Sequence, residues 1–268
     1  MIKNGMASMG IEKTHYLEKM FGLKGKTAVV TGGGRGIGQC VALGLAKAGA
    51  DIIILGRTTA DETVHLIEKE GRKAFFIKTD VTDEIQVHDA LNKTVDYTGR
   101  LDIIFNNAGI CIHKGTIEAS LQEFRQVVDI NLTGEYIVAR EAGKIMIKNG
   151  WEGSIINMAS MSAAIVNIPQ WQCSYNASKA AVKQMTRSLA VEWAEYKIRV
   201  NSISPGYIAT PMSTETPQEL KDAWIPLIPL KRMGTPEELI PAVLYLASTA
   251  SGYTTGSDLV IDGAYTCI

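Results

Sequence analysis

The chain has 268 residues, of which 46% are hydrophobic and 21% charged, with 25 glycines against 8 prolines. That composition supplies a sizeable core and excludes an intrinsically disordered or collagen-like chain. Lysine and arginine total 27 and aspartate and glutamate 28, a net charge of −1, which excludes an overall basic field for binding a nucleic acid or an anionic membrane surface. An anionic ligand must therefore be bound by a local site.

The cysteines and the N-terminal segment predict a reduced, cytoplasmic protein. The four cysteines are far apart and form no CxxC pair, as expected of free thiols (Cys40, Cys111, Cys173 and Cys267). No run reaches the roughly 18 to 20 apolar residues of a membrane span, and the first residues contain no continuous apolar stretch. We expect residues 1–22 to form a peripheral extension and residues 23–268 to form one domain.

From Lys26 onward, short β-branched runs alternate with longer segments of helical periodicity. The short runs predict seven strands, at 27–31, 52–55, 74–78, 101–105, 154–157, 200–203 and 259–261. Most are apolar throughout, as expected of parallel strands covered on both faces. The segments between them are long enough for helical crossovers, and one of them predicts a single long helix over 121–148. The predicted fold class is α/β, a single-domain, doubly wound parallel sheet of Rossmann type.

The turn after the first strand is rich in glycine. It comprises Gly32, Gly33, Gly34, Arg35, Gly36, Ile37 and Gly38, and a helical segment follows at once. Glycines here allow a tight strand-to-helix turn and let backbone N–H groups approach a pyrophosphate. The spacing fits TGxxxGxG and contains no GxGxxG. A purely structural loop is the alternative, but the position between the first strand and its helix favours a dinucleotide ligand.

The end of the second strand should determine which dinucleotide binds. An acidic residue there would hold the ribose hydroxyls of NAD, and a basic one would accept the 2′-phosphate of NADP. The strand ends in Gly56-Arg57-Thr58, while Asp51 lies at its opposite end. Arg57 and Arg35 are good ligands for a phosphate, although each alone could be an ordinary surface arginine. The sequence therefore predicts NADP(H) in preference to NAD(H).

Tyr175 and Lys179 lie four residues apart on a predicted helix, so their side chains project from the same face. A nearby ammonium favours the phenolate and should lower the pKa of the tyrosine from its usual value near 10. Tyr175 is then a plausible general acid and base. This pair occurs often by chance, but polar residues also follow the fourth and fifth strands (Asn106, Asn107 and Ser160), at the sheet edge where such folds bind ligands.

Taken together and in order, these motifs resemble the short-chain dehydrogenase/reductase family in its single-domain form. The resemblance covers roughly residues 22 to 268 and is carried by TGGGRGIG, Asp80-Val81, Asn106-Asn107-Ala108-Gly109, Asn131, Ser160, Tyr175-Asn176-Ala177-Ser178-Lys179 and Pro205-Gly206. It implies that the domain over 23–268 binds a dinucleotide and catalyses hydride transfer between nicotinamide and a carbonyl or secondary alcohol.

The resemblance also implies a role for each matched residue. Tyr175 would donate and accept the proton, and Ser160 would orient the substrate carbonyl. Lys179 would bind the nicotinamide ribose and depress the pKa of Tyr175, and Asn131 would hold a water in a relay to Lys179. The cofactor would also contact residues along the sheet edge (Asp80 and Val81 at the adenine, Asn107, Ala108 and Gly109 along its length, and Pro205, Gly206, Ile208 and Thr210 near the nicotinamide).

One spacing departs from the pattern of the family. In much of the family the serine lies two residues nearer the tyrosine, which would select Ser162. We favour Ser160, because it follows the strand end directly, and keep Ser162 as the alternative. The extra residues then fall within 162–174, a stretch similar to that of ketose and polyol members such as sorbose reductases and arabinitol or mannitol dehydrogenases. That stretch places Gln170 and Trp171 beside the substrate, and His113 is the histidine most suited to contact it.

Several functions remain open on the sequence. The first is an NADP(H)-dependent reductase or dehydrogenase for a ketose/polyol pair, and the alternative is a 3-oxoacyl thioester or hydroxysteroid reductase of the same family. A nucleotide sensor without activity would not need Ser160, Tyr175, Lys179 and Asn131 together. The histidines lack the spacing of metal ligands, so no metal is expected. The resemblance and the apolar surface of the 121–148 segment predict a homotetramer.

Overall fold

The computed structural model describes residues 15–210 and 217–268. Seven strands form one wholly parallel sheet in the order β3-β2-β1-β4-β5-β6-β7. The strands are β1 (Thr27–Thr31), β2 (Asp51–Gly56), β3 (Ala74–Lys78), β4 (Ile103–Asn106), β5 (Gly153–Met158), β6 (Ile198–Pro205) and β7 (Asp258–Ile261). The order reverses between β1 and β4, which is the point at which doubly wound sheets bind their ligands. The predicted fold class is confirmed.

The core lies on both faces of the sheet. Alternate residues of the central strands face opposite sides, so Val30 and Phe105 belong to one buried cluster and Val29 and Ile104 to the other. Each cluster is completed by helices packed over that face. Coverage on both faces explains why the central strands are apolar throughout.

Helices follow most of the strands. They span Gly36–Lys47, Asp61–Lys69, Glu84–Thr98, Leu121–Val128, Gly134–Asn149, Cys173–Trp193, Gln218–Trp224 and Ile240–Ala247. The Ser120 hydroxyl and the Glu123 carboxylate form a reciprocal capping box at the start of Leu121–Val128. The prediction of a single helix over 121–148 was wrong in one respect, because a π-helical turn at Asp129–Thr133 interrupts the α-helix.

The fourth strand begins later than predicted, at Ile103 rather than Leu101. The carboxylate of Asp102 accepts the backbone N–H of Thr27 at 2.9 Å and pairs with Lys26 and Arg100. A side chain therefore anchors this end of the strand to β1. At the opposite end, which carries the predicted site, β1 and β4 stay in register from Ala28 and Ile103 to Val30 and Phe105.

Residues 15–21 are helical and precede β1. Tyr16 and Leu17 on this helix are exposed, whereas Leu23 just after it is buried. The boundary predicted between an extension over 1–22 and a domain over 23–268 stays a prediction, since residues 1–14 lie outside the described chain. Within residues 15–210 and 217–268, no helix combines the length and the apolar character that a membrane crossing needs.

Candidate active site

The turns that follow β1 and β4 are fastened to each other at the carboxyl edge of the sheet. Thr31 ends β1, and its Oγ1 accepts the backbone N–H groups of Asn107 at 2.9 Å and Ala108 at 3.0 Å. The Nδ2 of Asn107 donates in return to the carbonyls of Thr31 at 3.0 Å and Gly32 at 3.3 Å. The glycine turn and the segment Asn107–Gly109, both predicted to contact the cofactor, are thus adjacent and rigidly placed.

Several positions of the glycine turn disfavour any side chain, through either backbone conformation or lack of space. Gly32 and Gly36 have φ angles of +67° and +57°, a region that favours glycine. A Cβ at Gly38 would lie 2.4 Å from the carbonyl oxygen of Gly32. The helix Gly36–Lys47 starts at Arg35 without a side-chain cap and without an acidic residue in its first turn. Its first N–H groups are therefore suited to an anion such as a pyrophosphate, and the fit to a dinucleotide is good.

A cleft of about 610 Å³ opens beyond the ends of β2 and β3. Arg57 and Asp80 line one side of it, and Arg125 and Gln126 line the other. Asp80 is held in place, since its Oδ1 accepts the hydroxyl and the N–H of Thr82. The cleft therefore brings together two residues predicted to bind the adenosine half of the cofactor.

Arg35 and Arg57 are both exposed. In the described parts of the chain, neither guanidinium forms an ion pair with a carboxylate. Val81 is buried with its side chain against Gly134. Both arginines are thus available to a phosphate, while the side chain of Val81 serves mainly in packing.

Ser160, Tyr175 and Lys179 meet next to the end of β5. Ser160 follows the strand, and its hydroxyl lies near enough to Tyr175 to act on the pKa of that phenol. Tyr175 and Lys179 lie one turn apart on the helix Cys173–Trp193, with the Lys179 Nζ 5.9 Å from the centre of the tyrosine ring. Lys179 is only 2% exposed, and its Nζ also donates to the carbonyl of Met158.

The pKa of Tyr175 differs from the sequence-based expectation. Burial raises it above its ordinary value, and the opposing effects of the Lys179 ammonium and the Ser160 hydrogen bond are smaller. The prediction that Lys179 lowers this pKa was right about the direction of its contribution but wrong about the net result for the free protein. The reason is that loss of hydration destabilises the phenolate more than one partly neutralised ammonium stabilises it.

Asn131 is fully buried in the π-helical turn, a distortion often found at functional sites. Its Oδ1 accepts the N–H of Ile110 at 2.8 Å, and its Nδ2 donates to the carbonyl of Ile110 at 2.8 Å and to Ser178 Oγ at 3.2 Å. Asn131 therefore fastens the loop after β4 to the Tyr175 helix. A Cβ at Gly109 would lie 3.2 Å from Asn131 Oδ1 and 3.8 Å from Lys179 Nζ. The role of Asn131 in a water relay to Lys179 stays a prediction.

Glu135 is a further residue of the site, and it was not predicted from the sequence. This residue is 2% exposed, and its Oε1 accepts a hydrogen bond from Lys179 Nζ at 3.0 Å. Its other oxygen is buried without a hydrogen-bond partner. Burial raises the pKa of Glu135 to about 7, although the neighbouring ammonium acts in the opposite direction. A glutamate in the first turn of a helix is ordinary at the sequence level, so no local signal pointed to it.

Ser162 takes part in a buried network of amides. Its Oγ donates to Asn167 Oδ1 at 2.8 Å and accepts from Gln172 Nε2 at 3.3 Å. Gln172 Nε2 also donates to Asn167 Oδ1 at 2.9 Å and to Asn176 Oδ1 at 3.0 Å. The Ser162 hydroxyl is thus engaged in this network, whereas the Ser160 hydroxyl acts on the pKa of Tyr175; the choice of Ser160 as the catalytic serine stays a prediction.

The remaining predicted substrate residues lie around this network. Gln170, which is 7% exposed, donates to Tyr207 Oη at 3.0 Å and accepts from Trp224 Nε1 at 2.8 Å. Tyr207 and Trp224 stack with their ring centres 4.3 Å apart. Trp171 is 58% exposed. His113 is exposed, and partial burial of its ring lowers its pKa despite the opposing effect of the Gln172 side chain.

The predicted nicotinamide-side residues follow β6. A Cβ at Gly206 would lie 2.7 Å from the Cα of Asp262, so the chain passes close to the segment after β7. Ile208 is nearly buried and pairs with Gly234. The Thr210 side chain approaches Gly36 of the glycine turn, 3.9 Å from an ideal Cβ there. Pro205 is the last residue of β6. Residues 211–216 lie outside the described chain.

The chain is similar to known proteins over nearly its whole length. A family model described as enoyl-(acyl carrier protein) reductase matches residues 32–266. A sorbose reductase of Candida albicans is 47% identical over 92% of this chain and 89% of its own length. A probable NADP-dependent mannitol dehydrogenase of Yarrowia lipolytica is 45% identical over 92% of this chain and 90% of its own. The crystal structure of a short-chain type dehydrogenase/reductase from Mycobacterium marinum has a TM-score of 0.91 and 45% identity, covering 93% of this chain and 99% of that one.

Proposed function

The chain belongs to the short-chain dehydrogenase/reductase family, and on this premise we propose that it interconverts a ketose and a polyol with NADP(H) as coenzyme. It is a nicotinamide-dependent oxidoreductase that acts on the CH–OH group of its donors. The single observation that carries the site assignment is the meeting of Ser160, Tyr175 and Lys179 beside the glycine turn and the Asn107–Gly109 segment.

The bound coenzyme supplies or accepts the hydride. In the direction of reduction, the Tyr175 hydroxyl donates its proton to the carbonyl oxygen of the substrate, and in oxidation the phenolate accepts it back. The Ser160 hydroxyl hydrogen-bonds the same oxygen and favours the alkoxide-like charge that develops there. The buried Lys179 ammonium stabilises the phenolate. Asn131 holds the loop after β4 against the Tyr175 helix, so it maintains the distance between the two sides of the site.

The preference for NADP(H) rests on Arg57 and Arg35. Arg57 lies at the carboxyl end of β2, where the 2′-phosphate of NADP would arrive, and no acidic residue occupies that end. The relative from Yarrowia lipolytica is named as NADP-dependent. Gly32, Gly34, Gly36, Ile37 and Gly38 would cradle the pyrophosphate through the turn and the helix N-terminus.

The substrate class is supported by the relatives and by the buried polar residues that follow Ser160 in the chain. Relatives that cover nearly the whole chain are named for sorbose, mannitol and galactitol. The amide network of Asn167, Gln170 and Gln172 lies beside Ser160 in the chain and is already held by its own hydrogen bonds. Preorganised amides suit a substrate with several hydroxyl groups, because each amide both donates and accepts. A site for an acyl chain or a steroid would need an apolar lining instead.

A substrate panel tests the proposal. Sorbose, fructose, mannitol, galactitol, arabinitol, a 3-oxoacyl thioester and a 3-ketosteroid are assayed with NADPH, NADH and the oxidised coenzymes. We expect turnover on at least one ketose/polyol pair, a higher kcat/KM with NADPH than with NADH, and no turnover by Tyr175→Phe despite retained coenzyme binding. Activity confined to the thioester or the steroid would overturn the substrate proposal, and full activity of Tyr175→Phe would overturn the assignment of the proton donor.

We also propose that the protein is a cytoplasmic homotetramer. The helix Leu121–Val128 and the start of Gly134–Asn149 expose Leu121, Phe124 and Tyr136, apolar surface that a second copy could cover. Sedimentation equilibrium distinguishes a tetramer from a dimer or a monomer.

A further inference from the structure

Glu135 is unusual because it is a carboxylate buried against the lysine of the proposed catalytic set. It lies in the first turn of the helix Gly134–Asn149, and 2% of it is exposed. Burying a charged group is costly unless it is paired, and only one of its two oxygens has a partner. That partner is the Nζ of Lys179, so the pair connects the interior of the protein directly to the site.

The pairing determines which way the ammonium points. Lys179 Nζ has three N–H donors, and two of them go to Glu135 Oε1 and the carbonyl of Met158. Neither of these two acceptors engages the third donor. Glu135 thus restricts the ammonium to one orientation, in which it lies 5.9 Å from the centre of the tyrosine ring.

The pairing also changes the charge that Tyr175 experiences. An ionised Glu135 opposes the effect of Lys179 on the phenolate, and its charge raises the pKa of Tyr175. A protonated Glu135 leaves the positive charge of Lys179 uncompensated. The pKa of Glu135, raised by burial to about 7, puts this change of charge within the working pH range of a cytoplasmic enzyme.

We propose that Glu135 is a positioning residue for the reaction, which holds the Lys179 ammonium and, by gaining or losing its own proton, sets how strongly that ammonium favours the Tyr175 phenolate. The inference rests on the proposed function, because it assigns Tyr175 as the group that exchanges a proton with the substrate. No change of bonding is involved beyond the transfer of one proton between the Glu135 carboxyl and solvent.

Other charged groups are less well placed to act on Glu135. From the loop after β4, Cys111 faces Lys179 and Tyr175, but burial raises its pKa to about 12 and keeps the thiol neutral. The helix Glu84–Thr98 packs against the same helix as Glu135, yet its Glu84 and His88 pair with Arg140 and Glu141. Glu135 is therefore coupled chiefly to Lys179 and Tyr175.

The test is the pH dependence of kcat in both directions for the wild type and Glu135→Gln. The glutamine keeps an acceptor for Lys179 and cannot ionise. In Glu135→Gln, we expect the midpoint of the pH profile of kcat for alcohol oxidation to move about one pH unit to lower pH. The kcat of carbonyl reduction should decline at correspondingly lower pH. Both shifts follow because the uncompensated ammonium stabilises the phenolate. Glu135→Asp, which retains the charge, should restore a midpoint near that of the wild type even if its kcat is lower.

Glu141→Gln is the matched control. Glu141 is an equally buried glutamate on the same helix, but it pairs with Lys144, Arg140 and His88. Its replacement should leave the midpoints unchanged. A loss of kcat in Glu135→Gln that is equal at every pH would overturn the proposal and leave the proposed function intact, whereas absence of wild-type turnover on every alcohol and carbonyl would overturn the function itself.

A second measurement needs neither a variant nor turnover. Most carboxylates protonate well below pH 6, so the infrared difference spectrum of the wild-type protein between pH 8 and pH 6 should contain the carbonyl stretch of a buried carboxylic acid. Its absence would refute the proposal even if Glu135→Gln failed to fold.

Discussion

Replacing Arg57 by alanine should weaken binding of NADPH about 10- to 100-fold and change binding of NADH less than about threefold. Arg57 is exposed at the carboxyl end of β2 and lines the cleft beyond that strand. A hydrogen bond between charged groups contributes about 1.5 to 3 kcal/mol, which corresponds to a factor of about 10 to 150 in affinity. Solvent screening at this exposed position favours the lower part of that range. NADH has no 2′-phosphate, so its affinity for the variant should change little.

Dissociation constants for both coenzymes, measured by isothermal titration calorimetry at two salt concentrations, would check this expectation. Arg125→Ala is the matched control, because Arg125 lines the same cleft from the helix Leu121–Val128 and its loss removes the same charge. Arg125→Ala should weaken the binding of NADPH and of NADH slightly and to the same extent. Equal losses of NADPH and NADH binding in Arg57→Ala would refute the reasoning about the 2′-phosphate. In the wild type, the ratio of the NADH to the NADPH dissociation constant should also fall at higher salt.

Three further predictions concern the site and its frame. Ser160→Ala should lower kcat at least about 100-fold with little change in melting temperature. Ser162→Ala should keep most of its turnover and lose about 1 kcal/mol of stability. Steady-state kinetics and thermal denaturation of the two variants check this prediction. Gly38→Ala should abolish coenzyme binding, measured by calorimetric titration, because its Cβ would lie 2.4 Å from a backbone oxygen. Gly115→Ala is the control and should bind the coenzyme normally, because its Cβ would meet only a flexible side chain at 3.4 Å. A lysine and the helix cap lower the pKa of Glu123 to about 2 from 4.5, so its stabilising effect is complete above about pH 4.5 and is lost as the pH falls toward 2. Glu123→Gln should therefore destabilise the protein in urea at pH 7, with a difference that shrinks in acid; a constant difference would contradict the linkage.

Much of the fold could be predicted because it depends on local patterns. Continuous β-branched runs indicated all seven strands of the parallel sheet, and their shared direction placed every strand end at one edge. The glycine turn and the four-residue spacing of Tyr175 and Lys179 required no knowledge of tertiary contacts. The π-helical turn at Asp129–Thr133 was not predictable, because helical periodicity continues through it.

The amino-acid sequence by itself therefore determined the fold class, the edge that carries the site and the residue types gathered there. Only the tertiary structure gave Ser160 and Ser162 different surroundings although both follow the same strand, since the Ser162 hydroxyl donates to Asn167 while that of Ser160 acts on the pKa of Tyr175. It alone paired Glu135 with Lys179, which are 44 residues apart. The net effect on the pKa of Tyr175 was also a tertiary matter, because it depends on how much water the packed chain removes from the phenol and on which charges remain beside it.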